Sequence, residues 1–375
     1  MHSSAHSAMA PTILNLLDQC IPIQDTILQH LEIGDVISLA KSTKALRHLV
    51  KVVESTQFNI NHVLEPFFDA IAFRSLQAQH NVLIASIFAY TFLSRRSLSS
   101  IGKVNTLNCL TVQKREHAEA LHDFLTPAGY REEERDEESD DRTSIEYSRE
   151  DNLYVRVYAT TLCPLVSTLD EPLTHLACCI TWNKAYGLFA YATYIEKQSY
   201  LLMHVEELKN GYLKFAKDSI AIRPCSLADY SPNAVTHNSK ARLRGSRRVG
   251  DERSWIISLN TNNVARSLCT DDVIEYAEFA MSVEPTTFGH YHLEYIVIRS
   301  PALRHEYSLP TSSSSHEQKR IDDLAILGMY SLSPKHQPEN IAEVFRRRGR
   351  GGWSKADMEA VTDWEPPKKR WMGLS

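Results

Sequence analysis

The chain lacks the cysteine pairing that a disulfide framework or a zinc finger would need. Its seven cysteines are scattered over 375 residues, and none of them forms a C-x-x-C pair. Their odd number also argues against a complete set of disulfides. We therefore interpret them as reduced thiols of an intracellular protein. Cys178 and Cys179 are adjacent on a predicted helix, where neighbouring side chains point in different directions, so core packing is favoured over a shared metal ion.

Long apolar runs are also missing. The longest one covers residues 82–93, which is shorter than the roughly 20 residues that a membrane-spanning helix requires. The first residues lack a basic stretch followed by an apolar run, which argues against a secretory signal. These absences predict a soluble protein of the cytosol or nucleus, with no membrane partner.

No excess of charge of one sign marks the chain as a nucleic-acid binder, because its formal net charge of −5 is mild. Two basic patches, at residues 346–352 and 368–370, could bind nucleic acid or serve as a nuclear address. Isolated basic runs are weakly specific, so a solvated tail is the favoured interpretation. Nucleic acid is therefore not an expected partner.

Recognisable catalytic and metal-binding motifs are absent as well. No G-x-S-x-G or comparable context supports a Ser–His–Asp triad. His290 and His292 lie two apart on one face of a predicted strand. They could ligate zinc, but no third ligand is identifiable, which favours ordinary polar strand residues. The sequence predicts neither a metal ion nor another cofactor.

The composition that remains is ordinary globular material, with 43% hydrophobic and 23% charged residues. The pattern predicts an α+β fold, in which a small N-terminal helical module precedes a mixed α/β domain and a C-terminal α/β extension. The predicted divisions are a disordered tail at 1–10, a helical module at 11–65, a mixed domain at 66–225 with an acidic loop at 131–143, a loop at 226–250, an α/β region at 251–335 and a basic tail at 336–375.

Hydrophobic periodicity predicts the individual elements beyond the first module. We expect a helix at residues 73–80, then a short break and a mostly buried helix within residues 81–96. Further helices are expected at residues 114–130, 171–190, 200–218, 271–282 and 318–331. We expect strands at residues 104–112, 143–148, 152–160, 254–260 and 290–300.

Residues 21–50 carry the clearest motif. Pro22, Leu31, Asp35, Leu39 and Ser42 fall in the register of the F-box, which this segment resembles. Ile21 stands where the family usually has Leu, and Gln24 stands where it usually has Glu. Phe58 is the candidate for the aromatic residue that follows the last helix of the family motif.

The F-box resemblance implies a three-helix module that docks on the Skp-type adaptor of a cullin–RING ubiquitin ligase. Three short helices in about 40 residues cannot bury all their apolar faces internally, so a partner or the rest of the chain must cover the surplus. The residues expected to form the adaptor surface are Ile21, Pro22, Ile27, Leu28, Leu31, Ile33, Asp35, Val36, Leu39 and Leu46. In the alternative interpretation, these helices pack on the downstream domain as an N-terminal extension.

Residues 67–224 resemble a fungal family in which an F-box-like start precedes a degenerate nucleotidyltransferase-like domain. In that family the buried helix carries a Gly-Ser pair ahead of Phe-Ala, and the next strand reads D-L-D-L. Here Ser86 and Ile87 occupy the Gly-Ser place, and Thr106 and Asn108 stand where the aspartates would be. The segments at 115–130 and 180–202 fit the family pattern.

The departures from this family pattern fall on the catalytic positions. Nucleotidyl transfer needs carboxylates that hold magnesium ions against the triphosphate. Neither Thr106 nor Asn108 supplies a negatively charged oxygen, and the later strand offers Arg156. The Gly-Ser turn, whose backbone N–H groups approach phosphate, is also replaced. These substitutions predict a vestigial site without catalysis.

The motifs together predict a non-catalytic F-box-type subunit. It would bind a Skp-type adaptor and the cullin ligase core through its N-terminal helices, and its body would hold an unidentified client close to the ligase. Two alternatives stay open. One is a stand-alone interaction scaffold with an inactive nucleotidyltransferase-like fold, and the other is an active metal-dependent nucleotidyltransferase, against which the missing aspartates argue.

Overall fold

The structure is a computed structural model, and it describes residues 17, 21–96, 106–112, 115–139, 142–160, 164–202, 220–223, 245–266, 273–283, 291–294, 296–298 and 307–309. These residues form an α+β fold with a helical N-terminal region, as the sequence predicts. The predicted tail at 1–10, most of the predicted helix at 200–218, the predicted helix at 318–331, His290 and both basic patches lie outside the described residues.

The N-terminal region consists of short helices connected by tight turns. They are α1 (Ile21–His30), α2 (Ile33–Ser42), a 3-10 turn (Lys44–Leu46), α3 (Leu49–Thr56) and α4 (Ile60–Leu64). Pro22 lies in the first turn of α1, where the N–H that proline lacks has no helical partner. At the start of α2, the Asp35 carboxylate accepts a hydrogen bond from the Glu32 backbone N–H at 3.3 Å, which stabilises the helix start.

The body continues with alternating helices and strands. Its elements up to residue 169 are α5 (Ala70–His80), β1 (Leu83–Ala85), α6 (Ser86–Leu93), β2 (Thr106–Val112), α7 (Arg115–Leu125), β3 (Arg131–Ser139), β4 (Arg142–Ser148), β5 (Tyr154–Thr160) and α8 (Pro164–Leu169). The later ones are β6 (Cys178–Ile180), β7 (Lys184–Gly187), a π-helical turn (Tyr191–Ile195), β8 (Gln198–Tyr200), β9 (Ala221–Arg223), β10 (Gly245–Arg248), β11 (Trp255–Ser258), a 3-10 turn (Val273–Tyr276), β12 (Glu278–Val283), β13 (Tyr291–Glu294), β14 (Ile296–Ile298) and β15 (Tyr307–Leu309).

An eight-stranded sheet organises the body, with the strand order β11-β7-β6-β1-β2-β5-β4-β3. The β2–β5 pair is parallel, and the other neighbouring pairs are antiparallel. Alternation along the strands sorts their side chains between two faces. Ile84, Leu107 and Val157 pack in one cluster with α1–α7, whereas Leu83 and Cys179 pack in a second cluster with α8 and β12.

The region after residue 250 contributes to the same sheet. Strand β11 pairs with β7 in antiparallel register, from Trp255 opposite Gly187 to Ser258 opposite Lys184. Strands β10, β12 and β13 form a separate three-stranded sheet, and Phe279 of β12 packs in the second cluster. Strand β11 and the three-stranded sheet are therefore both joined to the preceding domain, the first by strand pairing and the second by buried side chains.

The acidic run is a strand rather than the predicted loop at 131–143. Residues 131–139 form β3, which pairs with β4 through two register shifts and lies at the edge of the large sheet. The described side chains of residues 131–136 are exposed. An edge strand keeps its charges in water, and charges and bulges at an edge discourage pairing with another chain. The charge pattern thus indicated exposure correctly but did not indicate the backbone conformation.

Other predicted helices are strands. Residues 178–187 form the β6–β7 hairpin instead of part of a helix, so Cys178 and Cys179 are strand neighbours that pack in opposite clusters. The predicted helix at 271–282 is a 3-10 turn followed by β12, and the predicted loop at 226–250 contains β10 at its end. Strand β1 lies within the predicted segment 81–96, directly before α6. Among the described residues, no helix has the length and apolar character needed to cross a membrane.

Candidate functional site

The residues predicted to face an adaptor are divided between solvent and the protein's own core. The exposed ones are Ile21, Pro22 and Asp35, and the half-buried ones are Ile27, Leu31 and Leu39. The fully buried ones are Leu28, Ile33, Val36 and Leu46. The side chains of these last residues are enclosed by the same core that contains the sheet, so in this structure they present no surface to an adaptor.

An apolar surface remains uncovered at the start of α1. Ile21 is 68% exposed and Ile23 is 38% exposed, with the exposed Pro22 between them. Among the described residues, the other large hydrophobic side chain that is exposed to solvent belongs to Tyr191. We call Ile21, Pro22 and Ile23 the exposed patch. The sequence does not single out Ile23, because the F-box register has no fixed residue type at this position.

An arginine of the body holds the C-terminal end of α1. Arg95, which follows α6, donates hydrogen bonds to the carbonyl oxygens of Leu28, at 3.1 Å, and Leu31, and to the side chain of Gln57. The last carbonyl groups of a helix have no hydrogen-bond donors within the helix. At the end of α1, the Arg95 guanidinium provides these donors. Burial lowers the pKa of the Arg95 guanidinium, which nevertheless stays charged at neutral pH.

A second set of contacts joins α2 to the π-helical turn. Lys197 forms an ion pair with Glu32, and their hydrogen bond lowers the pKa of the Glu32 carboxyl. Both partners are largely exposed, so this pair adds little stability. The backbones of α2 and the π-helical turn come very close at Gly34. A Cβ added to Gly34 would lie 3.0 Å from the carbonyl oxygen of Tyr194. The absence of a side chain at Gly34 therefore allows the two backbones to meet.

An aromatic cluster packs the segment between α3 and α4 against the body. The buried ring of Phe58 packs edge-on against Phe92, at 5.6 Å between centroids, and Trp255, at 5.4 Å. The Trp255 indole N–H donates to the Glu54 carboxylate at 3.2 Å. Phe58, the candidate for the aromatic residue after the F-box helices, is thus a core residue that contacts α6 and β11.

The predicted nucleotide-site positions lie on neighbouring elements. Ser86 forms the turn between β1 and α6 with φ +62°, a conformation that glycine adopts without steric strain, and Ile87 follows it in α6. Thr106 and Asn108 lie on β2, which pairs antiparallel with β1. The pairing of β1 with β2 therefore places the turn at Ser86 beside the strand that carries Thr106 and Asn108.

The row of residues that crosses the sheet at Asn108 contains an ion pair. Asn108 lies opposite Arg156 on β5, and Arg156 lies opposite Glu146 on β4. The Arg156 guanidinium donates to the Glu146 carboxylate from Nε at 3.0 Å and also from Nη2. The carboxylate nearest to Asn108 along this row is therefore already engaged. Within the described part of the chain, no group of three or more His, Cys, Asp or Glu residues is arranged to hold a metal ion.

A buried polar cluster lies behind the turn at Ser86. His175 Nδ1 is 2.7 Å from the Ser199 hydroxyl, and the imidazole packs edge-on against the Tyr90 ring of α6 at 4.8 Å. The Cys178 thiol donates to the carbonyl oxygens of Ser86 and His175. Burial lowers the pKa of His175 to about 3, so the imidazole is neutral throughout the physiological range.

We expect the folded protein to lose stability as the pH falls below about 6.5, where the unfolded chain's imidazole takes up a proton. In the folded state His175 stays neutral down to a pKa of about 3. Between these values the unfolded state binds more protons, so the free energy of unfolding falls with pH by up to about 1.4 kcal/mol per unit. Above this window His175 contributes no pH dependence.

Urea unfolding of the wild type and of His175→Gln, at about pH 7.5 and about pH 5, measures this effect. The wild type should lose about 2 kcal/mol more than the variant between the two conditions. Parallel losses in the two proteins would show that another group controls the acid sensitivity.

Arg95 and His175 were not found from the sequence. Arg95 belongs to a dibasic pair at the end of an apolar segment, which signals only the end of a buried helix. His175 lies in a segment whose pattern predicts a helix, and a single histidine there carries no functional signal. No protein-family model, no curated protein and no solved structure matches this chain.

Proposed function

We propose that the chain is the non-catalytic, client-recruiting subunit of a cullin–RING ubiquitin ligase and binds a Skp-type adaptor through its N-terminal helices. The observation that carries this proposal is the exposed patch. Ile21 and Pro22 occupy the L-P position of the F-box register, and both are exposed to solvent. Exposed apolar residues beside such a register are the features that a docking surface requires.

In this proposal the N-terminal helices have two faces with separate roles. The inner face, which includes Leu28 and Val36, packs in the shared core and is held by Arg95. The outer face begins at the exposed patch and extends over the half-buried side chains of Ile27, Leu31 and Leu39. A specific interface buries about 800 Å² on each partner, which is more than the patch alone supplies. The fixed inner face would orient the body relative to the ligase.

The body would recruit a client without transforming it. A nucleotidyltransferase needs carboxylates beside the triphosphate to hold magnesium ions. Thr106 and Asn108 stand at those positions, and the guanidinium of Arg156 lies across from Asn108 and would repel a cation. The carboxylate of Glu146, which follows Arg156 in this row, is already bound by Arg156, and Glu134 lies one strand further away, on β3.

A second candidate function is a stand-alone interaction scaffold whose N-terminal helices only complete its own core. The burial of Leu28, Ile33, Val36 and Leu46 favours it. The two candidates differ in the role of the exposed patch. In a stand-alone scaffold the patch contacts no adaptor, and acidic substitutions there change neither binding nor folding.

The adaptor role predicts a stable complex between residues 1–375 and a purified Skp-type adaptor in size-exclusion chromatography. The variant Ile21→Asp/Ile23→Asp should bind at least about 100-fold more weakly, because a charge would replace each apolar contact. Aspartates in the first turn of α1 interact favourably with the helix dipole. The variant should therefore keep the wild-type circular dichroism spectrum and unfolding temperature, and calorimetric titration then measures its affinity.

The matched control is Gln29→Asp/His30→Asp, which places two aspartates at exposed positions near the other end of α1. This control should retain adaptor binding. A well-folded wild-type chain that forms no complex would exclude the adaptor role and leave the scaffold. An equal loss of binding in both variants would show that the exposed patch is not the docking surface.

A further inference from the structure

A cleft of about 610 Å³ opens between the N-terminal region and the body. The end of α3 and the start of α4 form one wall, and α5 and the end of β11 form the other. Its base contains the buried side chains of Phe58, Ile60 and Leu259, and the amides of Asn59, Asn61 and Asn260 lie around it. Most of the residues that line the cleft are polar or charged, and a cleft of this volume can hold a small molecule, which here would be a polar one.

The guanidinium of Arg74 also lines the cleft, and none of the residues that the structure describes gives it a counter-charge. Arg74 is 0% exposed, and it donates from Nε, at 3.0 Å, and Nη2, at 2.6 Å, to the carbonyl oxygen of Trp182. Its Nη1 donates to the amide oxygen of Asn61 at 2.7 Å. These acceptors are neutral, and the guanidinium has further N–H groups to donate. Burial lowers its pKa to about 10, so the charge persists at neutral pH.

Carboxylates line the cleft as well. Glu54 accepts the Trp255 indole N–H through one oxygen, Oε1, and its second oxygen can accept from another donor. Glu65 is exposed and lies 3.4 Å from His62. Neither glutamate forms an ion pair with Arg74 within the described structure. The cleft therefore holds separated charges of opposite sign, and its glutamates would repel a simple anion.

We propose that this cleft binds a small zwitterionic ligand of the free amino acid or short-peptide class. Its carboxylate would replace the Asn61 amide oxygen at Arg74, and its ammonium group would face Glu54 and Glu65. Planar guanidinium groups bind carboxylates through paired hydrogen bonds, and the side-chain amides around the base can pair with a ligand's peptide groups. The proposal does not depend on the adaptor role, because the cleft and the exposed patch are separate surfaces.

Binding at this place would also tighten the junction between the N-terminal region and the body. Glu54, Asn61 and Glu65 belong to the first, whereas Arg74 and Asn260 belong to the second. A ligand that contacts both walls binds only when the N-terminal region is packed against the body. Such a ligand therefore shifts the folding equilibrium toward this packed state.

The first test changes the ligand and leaves the protein intact. Thermal unfolding of the full chain is followed with a mixture of the twenty free amino acids and, separately, with a mixture of tripeptides. At about 5 mM, a specific ligand should raise the Tm by about 2 °C or more, and the active mixture distinguishes the two sources. Acetylating the amine or amidating the carboxyl of the active compound should weaken binding at least tenfold. No shift with either mixture, or equal binding of the blocked compounds, would overturn the proposal.

The second test changes the protein. Glu54→Gln/Glu65→Gln removes the negative charges of both glutamates that line the cleft. The amide oxygen introduced at position 54 can still accept a hydrogen bond from Trp255. This variant should bind the active compound about tenfold more weakly. Glu150→Gln/Glu252→Gln, two exposed carboxylates outside the cleft, should bind like the wild type. Arg74→Lys should lose binding because a point charge cannot form the paired hydrogen bonds. Wild-type affinity in the Glu54→Gln/Glu65→Gln variant would overturn the proposal even if Arg74→Lys does not fold.

Discussion

Replacing Leu28 by aspartate is expected to unfold the whole chain rather than the N-terminal helices alone. Leu28 has no accessible surface and belongs to the cluster that also contains Phe88 of α6 and Val157 of β5. A carboxylate at this position would be buried without a partner, at a cost of at least about 4 kcal/mol. That is a large share of the roughly 5–15 kcal/mol by which most domains are stable.

Urea unfolding followed by far-ultraviolet circular dichroism and by tryptophan fluorescence measures this outcome. Both signals should report one common transition, shifted far below that of the wild type. Ile23→Asp, a change of the same chemistry at an exposed position of the same helix, should unfold like the wild type. If Leu28→Asp melted α1–α4 while the body kept its own transition, the N-terminal helices would be an independent module.

The second large effect is expected at Arg95. Arg95→Ala should lower the free energy of unfolding by about 3 kcal/mol, because charged hydrogen bonds are lost and buried acceptors are left without donors. The acceptors are the carbonyl oxygens of Leu28 and Leu31 and the side chain of Gln57. Arg95→Lys should give an intermediate value, since one ammonium group reaches fewer of these acceptors at once.

Denaturant titration measures how much Arg95→Ala lowers the free energy of unfolding, and hydrogen exchange shows which helices lose protection. Amide protons of α1 should exchange faster in Arg95→Ala, while those of α7, which packs against α5 and β2, should change less. Arg47→Ala removes an exposed positive charge from the same region and should have little effect. A loss in Arg95→Ala no larger than in Arg47→Ala would mean that Arg95 does not hold the end of α1.

The elements predicted correctly from the sequence are those with a local pattern. Helix α7 has apolar residues at helical spacing, and β4 and the first half of β5 alternate between buried and half-buried positions. The β6–β7 hairpin has no such signal. Its side chains are almost all buried on both faces, and a segment buried on both faces carries neither period. Helix and strand cannot be distinguished there without the neighbouring strands.

The candidate sites were predictable only in part. The register of Pro22, Leu31 and Asp35 is visible in the sequence, but it does not say which side of α1 is enclosed. Leu28 is enclosed because α6 and the sheet pack against it. The position of Arg74 depends on the carbonyl of Trp182, which is 108 residues away in the chain. No local pattern records such a contact, so the cleft and its charges required the folded structure.

The contact between Trp255 and Glu54 also sets an order of events during synthesis. These residues are 201 positions apart, so at roughly 5–20 residues per second the ribosome needs about 10 to 40 s to pass from one to the other. During that time α1–α4 are already made, while β11, one of the elements that cover them, is not. The inner apolar face of these helices therefore lacks part of its cover at the ribosome, and their folding is completed only after the last strand of the large sheet has been translated.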